Sequence, residues 1–256
     1  MIIDPAHRGG FFSCSTVALL EILQYFNKYK KVPKEVNREH QYSLLKKGNE
    51  NLIPVYFEED ELSIPYSGKI EIGDCMSVQW ADYRNLPFRK LDDFIDKYFA
   101  PSDGILDLLS DFENNYEIDY QNTVSVFYRG NDKNREMEVS SYDLFLNKAQ
   151  EIKRRRPNVK FLLQPDEKEF EVYFKRYYPD AIVFKETPSI KKQDSAVFYQ
   201  MDKIKRAKFS SLFFAAVLVH SECSEIITHS GNIGLWLSLY RGNSENVHQI
   251  YNNKWY

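Results

Sequence analysis

Residues 123–133 read TVSVFYRGNDK. Six β-branched, aromatic and small residues run without a charge into Arg129 and Gly130, the pattern of a strand buried on both faces. Beyond it, Ser140 or Ser141 is placed to cap a helix in which Tyr142, Phe145, Leu146, Ala149 and Ile152 repeat at the spacing of one apolar face. That helix ends in the basic run 153–156 and is stopped by Pro157. A strand over 159–163, a helix over 167–177 and a strand over 181–184 follow. Residues 209–219 are apolar on every side and predict a buried helix. A short strand at 225–228 leads to a last helix, capped by Asn232 and running through Leu239. Strands alternating with helices of this length predict a parallel, doubly wound α/β sheet. Ligands of such sheets lie outside the carboxyl ends of the strands. That rule selects the loops 129–133, 164–167 and 229–232.

Toward the N-terminus the pattern is less regular. Helices are expected over 91–99 and 104–116, separated by Pro101, with Ser102 or Asp103 capping the second. Gly9 and Gly10 precede a helix marked by Val17, Leu20, Leu23 and Phe26. Short elements are expected at 32–36, 53–57 and 70–72. A boundary near residue 118 divides the chain into halves, 1–118 and 119–256.

The 256 residues carry 34 Lys and Arg against 37 Asp and Glu, a net charge of −3. That balance argues against a nucleic-acid coat, which needs clustered unpaired cations. Hydrophobic residues make up 43%, enough for a real core and too many for a disordered chain. The longest apolar run, 212–219, is far short of the ~20 residues that span a bilayer. No signal peptide is read at the N-terminus, so cytoplasmic action is expected. Cys14, Cys75 and Cys223 form no paired motif, and no HExxH, HxxxH or Asp-x-Asp occurs, so no metal cradle is expected. His220 reads as a core histidine, 58–61 as a solvated acidic loop, and 153–156 as cations complementing a helix dipole.

Four constellations carry possible chemistry. In Arg129-Gly130-Asn131-Asp132-Lys133, a guanidinium at a strand end can grip a phosphate while the glycine admits it closely. The same residues also suit a polar loop with a surface ion pair. Asp166 in Gln164-Pro165-Asp166-Glu167 can accept hydrogen bonds from a base or ribose, or cap the next helix. Ser230, Gly231 and Asn232 open a helix and form either an anion pocket or a plain cap. The run 7–13, HRGGFFS, either admits a diphosphate at a helix start or makes a turn.

Taken in order, GGFFS, YRGNDK, FLLQPDE and ITHSGNIGLWLSL resemble the fucosyltransferase-like glycosyltransferase superfamily, which includes nodulation, α1,6- and protein O-fucosyltransferases. The resemblance spans most of residues 8–240. It implies a GT-B-like α/β fold with two Rossmann-like halves facing across a cleft, 1–118 on the acceptor side and 119–256 holding the nucleotide-sugar. It also implies a metal-independent, inverting transfer from a nucleotide-sugar donor to a glycan hydroxyl, with no other cofactor. Arg129 falls on the arginine that grips the donor diphosphate, Asp132 and Lys133 on the same motif, and Asp166 on the acidic residue at the nucleoside. Ser230, Gly231 and Asn232 fall on the phosphate loop, and Gly9 and Gly10 on the Gly-rich loop. Asp132, Glu136 and Glu138 are the candidate general bases, with Asp132 better suited to orienting Arg129. Phe127 stands where the family has histidine, and Gln164-Pro165 where it has Ala-Thr. GDP-fucose is the expected donor, with UDP- or GDP-linked pentoses and other deoxyhexoses open. The alternatives are a catalytically silent nucleotide- or sugar-binding relative and another Rossmann-type transferase such as a methyltransferase. The latter expects more glycine after the first strand than the single Gly130. Arg129→Ala is expected to nearly abolish transfer and leave the fold intact.

Overall fold

The computed structural model describes residues 2–5, 7–38, 40–45, 51–58, 64–65, 68–74 and 77–256. The acidic residues 59–61 and Cys75 lie outside them. The first part of the chain forms β1 (Ile2–Ile3), α1 (Phe11–Tyr29), β2 (Glu35–Val36), α2 (Ile53–Tyr56), β3 (Phe57–Glu58), α3 (Phe88–Phe99), β4 (Ala100–Pro101) and α4 (Asp103–Tyr116). The second forms β5 (Thr123–Tyr128), α5 (Tyr142–Arg155), β6 (Lys160–Pro165), α6 (Lys168–Lys175) and β7 (Ile182–Val183). It continues with α7 (Lys203–Glu222), β8 (Glu225–His229), α8 (Asn232–Arg241), β9 (Val247–Tyr251) and β10 (Lys254–Trp255).

Every residue of β5 is buried, and the strand lies inside a six-stranded sheet of order β10-β9-β8-β5-β6-β7. All neighbours are parallel except β10, which returns antiparallel along β9. The chain winds from β5 outward to β7, then crosses through α7 to β8 on the other side of β5. This is the order of a doubly wound sheet, and its direction reverses between β5 and β8. Val126 sits in register with Leu163 on one side and Ile227 on the other.

Alternation along β5 assigns its two faces. Val124, Val126 and Tyr128 pack with Phe145, Ala149, Ile152 and Phe170 of α5 and α6. Phe127 points the other way, its ring 5.9 Å from Phe213 and 5.2 Å from His220 of α7. His220 is a core residue, its Nδ1 sharing a 2.7 Å hydrogen bond with Ser125 Oγ. Burial pushes its pKa down to about 3.

The core on the α7 side continues without a break past residue 118, joining Phe12, Phe94 and Phe112 to Phe214, Ile226 and Trp236. Among the described residues of the first 118, strands pair only two at a time, β1 with β2 and β3 with β4. Residues 70–72 form no regular element; the amide of Asn27 instead holds Ile70 N–H at 2.7 Å and Ile70 C=O at 2.6 Å. No helix among the described residues is long and apolar enough to cross a membrane.

The basic run at the end of α5 has a partner. Arg155, Arg156 (3.0 Å) and His248 Nε2 (2.9 Å) converge on Glu225, whose side chain is 2% exposed, at the end of the sheet away from the loops selected above. Burial opposes ionisation of Glu225, but hydrogen bonds from His248, Arg156 and Arg155 outweigh it and hold the pKa down to about 2. The folded value lies below the ordinary value of 4.5. The stabilisation is therefore complete above that pH and is lost as pH falls toward the folded value. Glu225→Gln is expected to cost about 1.5–3 kcal/mol at neutral pH. It should also flatten the acid limb of a denaturant-unfolding series, and an unchanged limb would show that the cluster contributes nothing.

Candidate functional site

At the carboxyl ends of β5 and β6 opens a cavity of about 670 Å³. The N-terminus of α1, the first turn of α8, part of α7 and the segment 188–199 complete its walls. Eight residues expected from sequence line it: Gly9, Gly10, Arg129, Asp132, Lys133, Glu136, Asp166 and Asn232. Glu138 is exposed and outside the wall, and Ser230 and Gly231 lie behind it.

Tyr128 is anchored inward by stacking on Phe170, centroids 4.1 Å apart, so the next side chain, Arg129, leaves the strand at the cavity wall. Its Nε donates to Asp166 Oδ2 at 2.9 Å and its Nη2 to Asp132 Oδ1 at 2.7 Å. A guanidinium has five N–H donors, so three remain beyond these two bonds. Burial alone would lower the Arg129 pKa, but Asp132 and Asp166 more than offset it and keep the group charged. Asp132 is depressed by Arg129 despite its own burial, whereas burial raises Asp166 against the same pull.

Asp166 lines the cavity and is also tied into the protein itself. Both carboxylate oxygens are engaged by the protein, the second accepting from Gly130 N–H at 2.8 Å, and Asp166 C=O accepts from Asn131 Nδ2 at 2.8 Å. It fixes the 129–133 loop. Gly130 is dictated by Glu167, a fully buried carboxylate held by Tyr142 OH at 2.5 Å. A Cβ at Gly130 would lie 2.1 Å from Glu167 Oε1.

Lys133 is also buried. Its Nζ donates to Glu136 Oε2 at 2.5 Å and lies 4.8 Å above the ring of Trp80, itself stacked on Tyr251. Burial lowers its pKa, opposed by Glu136. Gly231 makes room for it: its φ is +138°, and a Cβ there would meet Lys133 Nζ at 2.9 Å.

The loop before α8 is tied to the rest of the protein. Ser230 N–H donates to Ile250 C=O at 2.8 Å, and Gly231 N–H to Gln79 C=O at 2.8 Å. Ser230 Oγ accepts from Gln249 Nε2 at 2.7 Å. These amides are not free for an anion. Gly231, not Asn232, is the cap residue of α8. Asn232 instead joins α8 to α1, accepting from Thr16 Oγ1 at 2.7 Å and donating to Gln79 Oε1 at 3.0 Å.

The N-terminus of α1 has the opposite character. No side chain caps it, and its first turn holds no acidic residue. The amides of residues 11–13 lack intrahelical acceptors by geometry, and the helix dipole places partial positive charge there. Gly10 is the cap residue, and a Cβ on it would meet nothing within 4 Å. A Cβ on Gly9 would come within 2.3 Å of His7 Nε2, which shares a 2.8 Å hydrogen bond with Ser13 Oγ. The cavity wall carries four Lys or Arg side chains, Arg8, Arg129, Lys133 and Arg135, against three carboxylates. Among the described residues no three His, Cys, Asp or Glu side chains gather at metal-binding range.

Some of this wall had no signal in the sequence. Trp80, Gln79 and the segment 188–199 come from irregular stretches whose place is set only by tertiary contacts. His7 and Ser13 stand in a motif read for its glycines, and a His and Ser six positions apart across a helix start were the available cue.

No protein-family model matches the chain. No curated protein matches it in sequence. Among solved structures, sixteen chains match. One, a NodZ alpha-1,6-fucosyltransferase crystal soaked with GDP-fucose, superposes with a TM-score of 0.52 at 13% identity. The match covers 93% of this chain and 92% of that one. The chain thus shares, distantly, the α/β fold of that fucosyltransferase.

Proposed function

We propose that this protein is a glycosyltransferase that moves a sugar from a nucleoside-diphosphate donor to a glycan hydroxyl. The carrying observation is that one cavity joins the Arg129 loop, at the switch point of a doubly wound sheet, to the uncapped N-terminus of α1. A departing diphosphate needs fixed donors where its charge develops. The remaining Arg129 N–H groups and the first amides of α1 supply them, and Arg8 and Arg135, which have no ion-pair partner among the described residues, add positive charge. Asp166 and Asp132 hold the guanidinium in place. The donor is taken to be GDP-fucose or a related GDP- or UDP-linked sugar. Transfer proceeds with inversion, the acceptor oxygen entering opposite the leaving diphosphate.

A thermal-shift screen against GDP, UDP, ADP and S-adenosylmethionine tests this. GDP or UDP should raise Tm, since a ligand that binds only the folded state at a hundredfold excess over Kd adds about 2.7 kcal/mol. Gly10→Val should leave the unliganded Tm close to that of the parent, because its backbone is extended and the space beside it open. It should erase the nucleotide shift by filling the diphosphate's place. Stabilisation by S-adenosylmethionine alone would make the protein a methyltransferase instead. Transfer should also survive EDTA; loss restored by Mn²⁺ would overturn the metal-free scheme.

A further inference from the structure

Inverting transfer requires a base for the acceptor hydroxyl, and the expected carboxylates are all engaged or displaced. Asp132 is bonded to Arg129 at 2.7 Å, Asp166 to Arg129 and Gly130, and Glu136 to Lys133 at 2.5 Å. Glu138 is outside the cavity. A carboxylate neutralised by a cation is a weak acceptor of a further proton. The wall also carries a side chain that can take up a proton near neutral pH and has no ionic partner among the described residues: His7, half-buried and hydrogen-bonded through Nε2 to Ser13 Oγ at 2.8 Å. Both members of the pair line the cavity, beside Gly10 and the first amides of α1. The glycine at position 9 leaves the room the imidazole occupies, since a Cβ there would overlap the ring.

We infer that His7 and Ser13 form the proton relay that activates the acceptor, an assignment that rests on the transferase function proposed above. The acceptor O–H donates to Ser13 Oγ while the Ser13 proton passes to His7 Nε2. The acceptor oxygen forms a bond to the anomeric carbon as the bond from that carbon to the diphosphate oxygen breaks. The nucleoside diphosphate leaves with the electron pair, and imidazolium holds the proton. Burial lowers the His7 pKa, which favours the neutral ring that can accept it.

The test uses the full chain with GDP-fucose, GDP-mannose, UDP-glucose and UDP-xylose, water serving as acceptor, and follows nucleoside-diphosphate release. Positioned acid–base groups contribute ~10²–10⁴-fold, so His7→Gln should lower release by that factor with the nucleotide thermal shift retained. Ser13→Ala, a single-atom deletion, should give a loss of similar order, and the double variant should be no slower than the worse single. If His7→Gln fails to fold, Ser13→Ala decides alone. Unchanged release in a folded His7→Gln or Ser13→Ala protein that still binds nucleotide would overturn the relay and leave the transferase function standing. Release from none of the four donors by the parent protein would overturn both.

Discussion

Arg129→Ala is expected to lower sugar transfer ~10²–10³-fold, the usual effect of removing one donor to a developing anion. The fold will not be untouched, contrary to what the sequence implied. Arg129 bridges Asp166 and Asp132, and its removal leaves Asp166, only 8% exposed, with Gly130 N–H as its remaining partner. Its carboxyl, already raised by burial, will then protonate more readily. Arg129→Lys separates the two effects. An ammonium keeps the charge but not the planar fork, so it can satisfy one carboxylate and not also face the cavity. Lysine should recover much of the stability and little of the transfer. Equal recovery of both would reduce Arg129 to a structural cation.

Asp166→Ala is expected to be the most destabilising change at the site, costing about 3–5 kcal/mol, because a buried charge pair is broken on one side. It removes the acceptors of Arg129 Nε and Gly130 N–H together, at the end of the central strand. Asp132 still holds Arg129, which places the expected loss near the lower end of that range. Asp166→Asn preserves shape and one acceptor and should lose less. Denaturant unfolding at neutral pH measures both, and nucleotide binding should weaken with the order of the loop. A protein in which Asp166→Ala unfolds normally yet loses nucleotide binding would return Asp166 to the nucleoside.

Residues 123–128 reveal the fold because burial on both faces leaves a strand no charged position, and the helical spacing of Tyr142, Phe145, Leu146, Ala149 and Ile152 reveals the helix that covers it. The loops after these elements then follow from the rule for parallel sheets. β9 and β10 escaped notice because VHQIY mixes polar and apolar residues and β10 is two residues long. The short expected element at 53–57 splits into α2 and the first residue of β3, Pro54 sitting in the first turn of that helix. At the site, sequence identifies which side chains leave the strand ends but not which of them bond one another. Arg129, Asp132 and Asp166 were legible as a site and illegible as one ion-pair unit, since the 37-residue separation of Arg129 and Asp166 closes only through strand register. Ser230 and Gly231 likewise look like free amides until Gln79 and Ile250 arrive from other parts of the chain.

The most direct test is a crystal structure of the protein with GDP or UDP bound. The diphosphate should lie in the cavity between the remaining N–H groups of Arg129 and the amides of Phe11 and Phe12, at hydrogen-bond distance from both. A diphosphate bound elsewhere, or a cavity still empty at a nucleotide concentration that stabilises the protein, would contradict that placement.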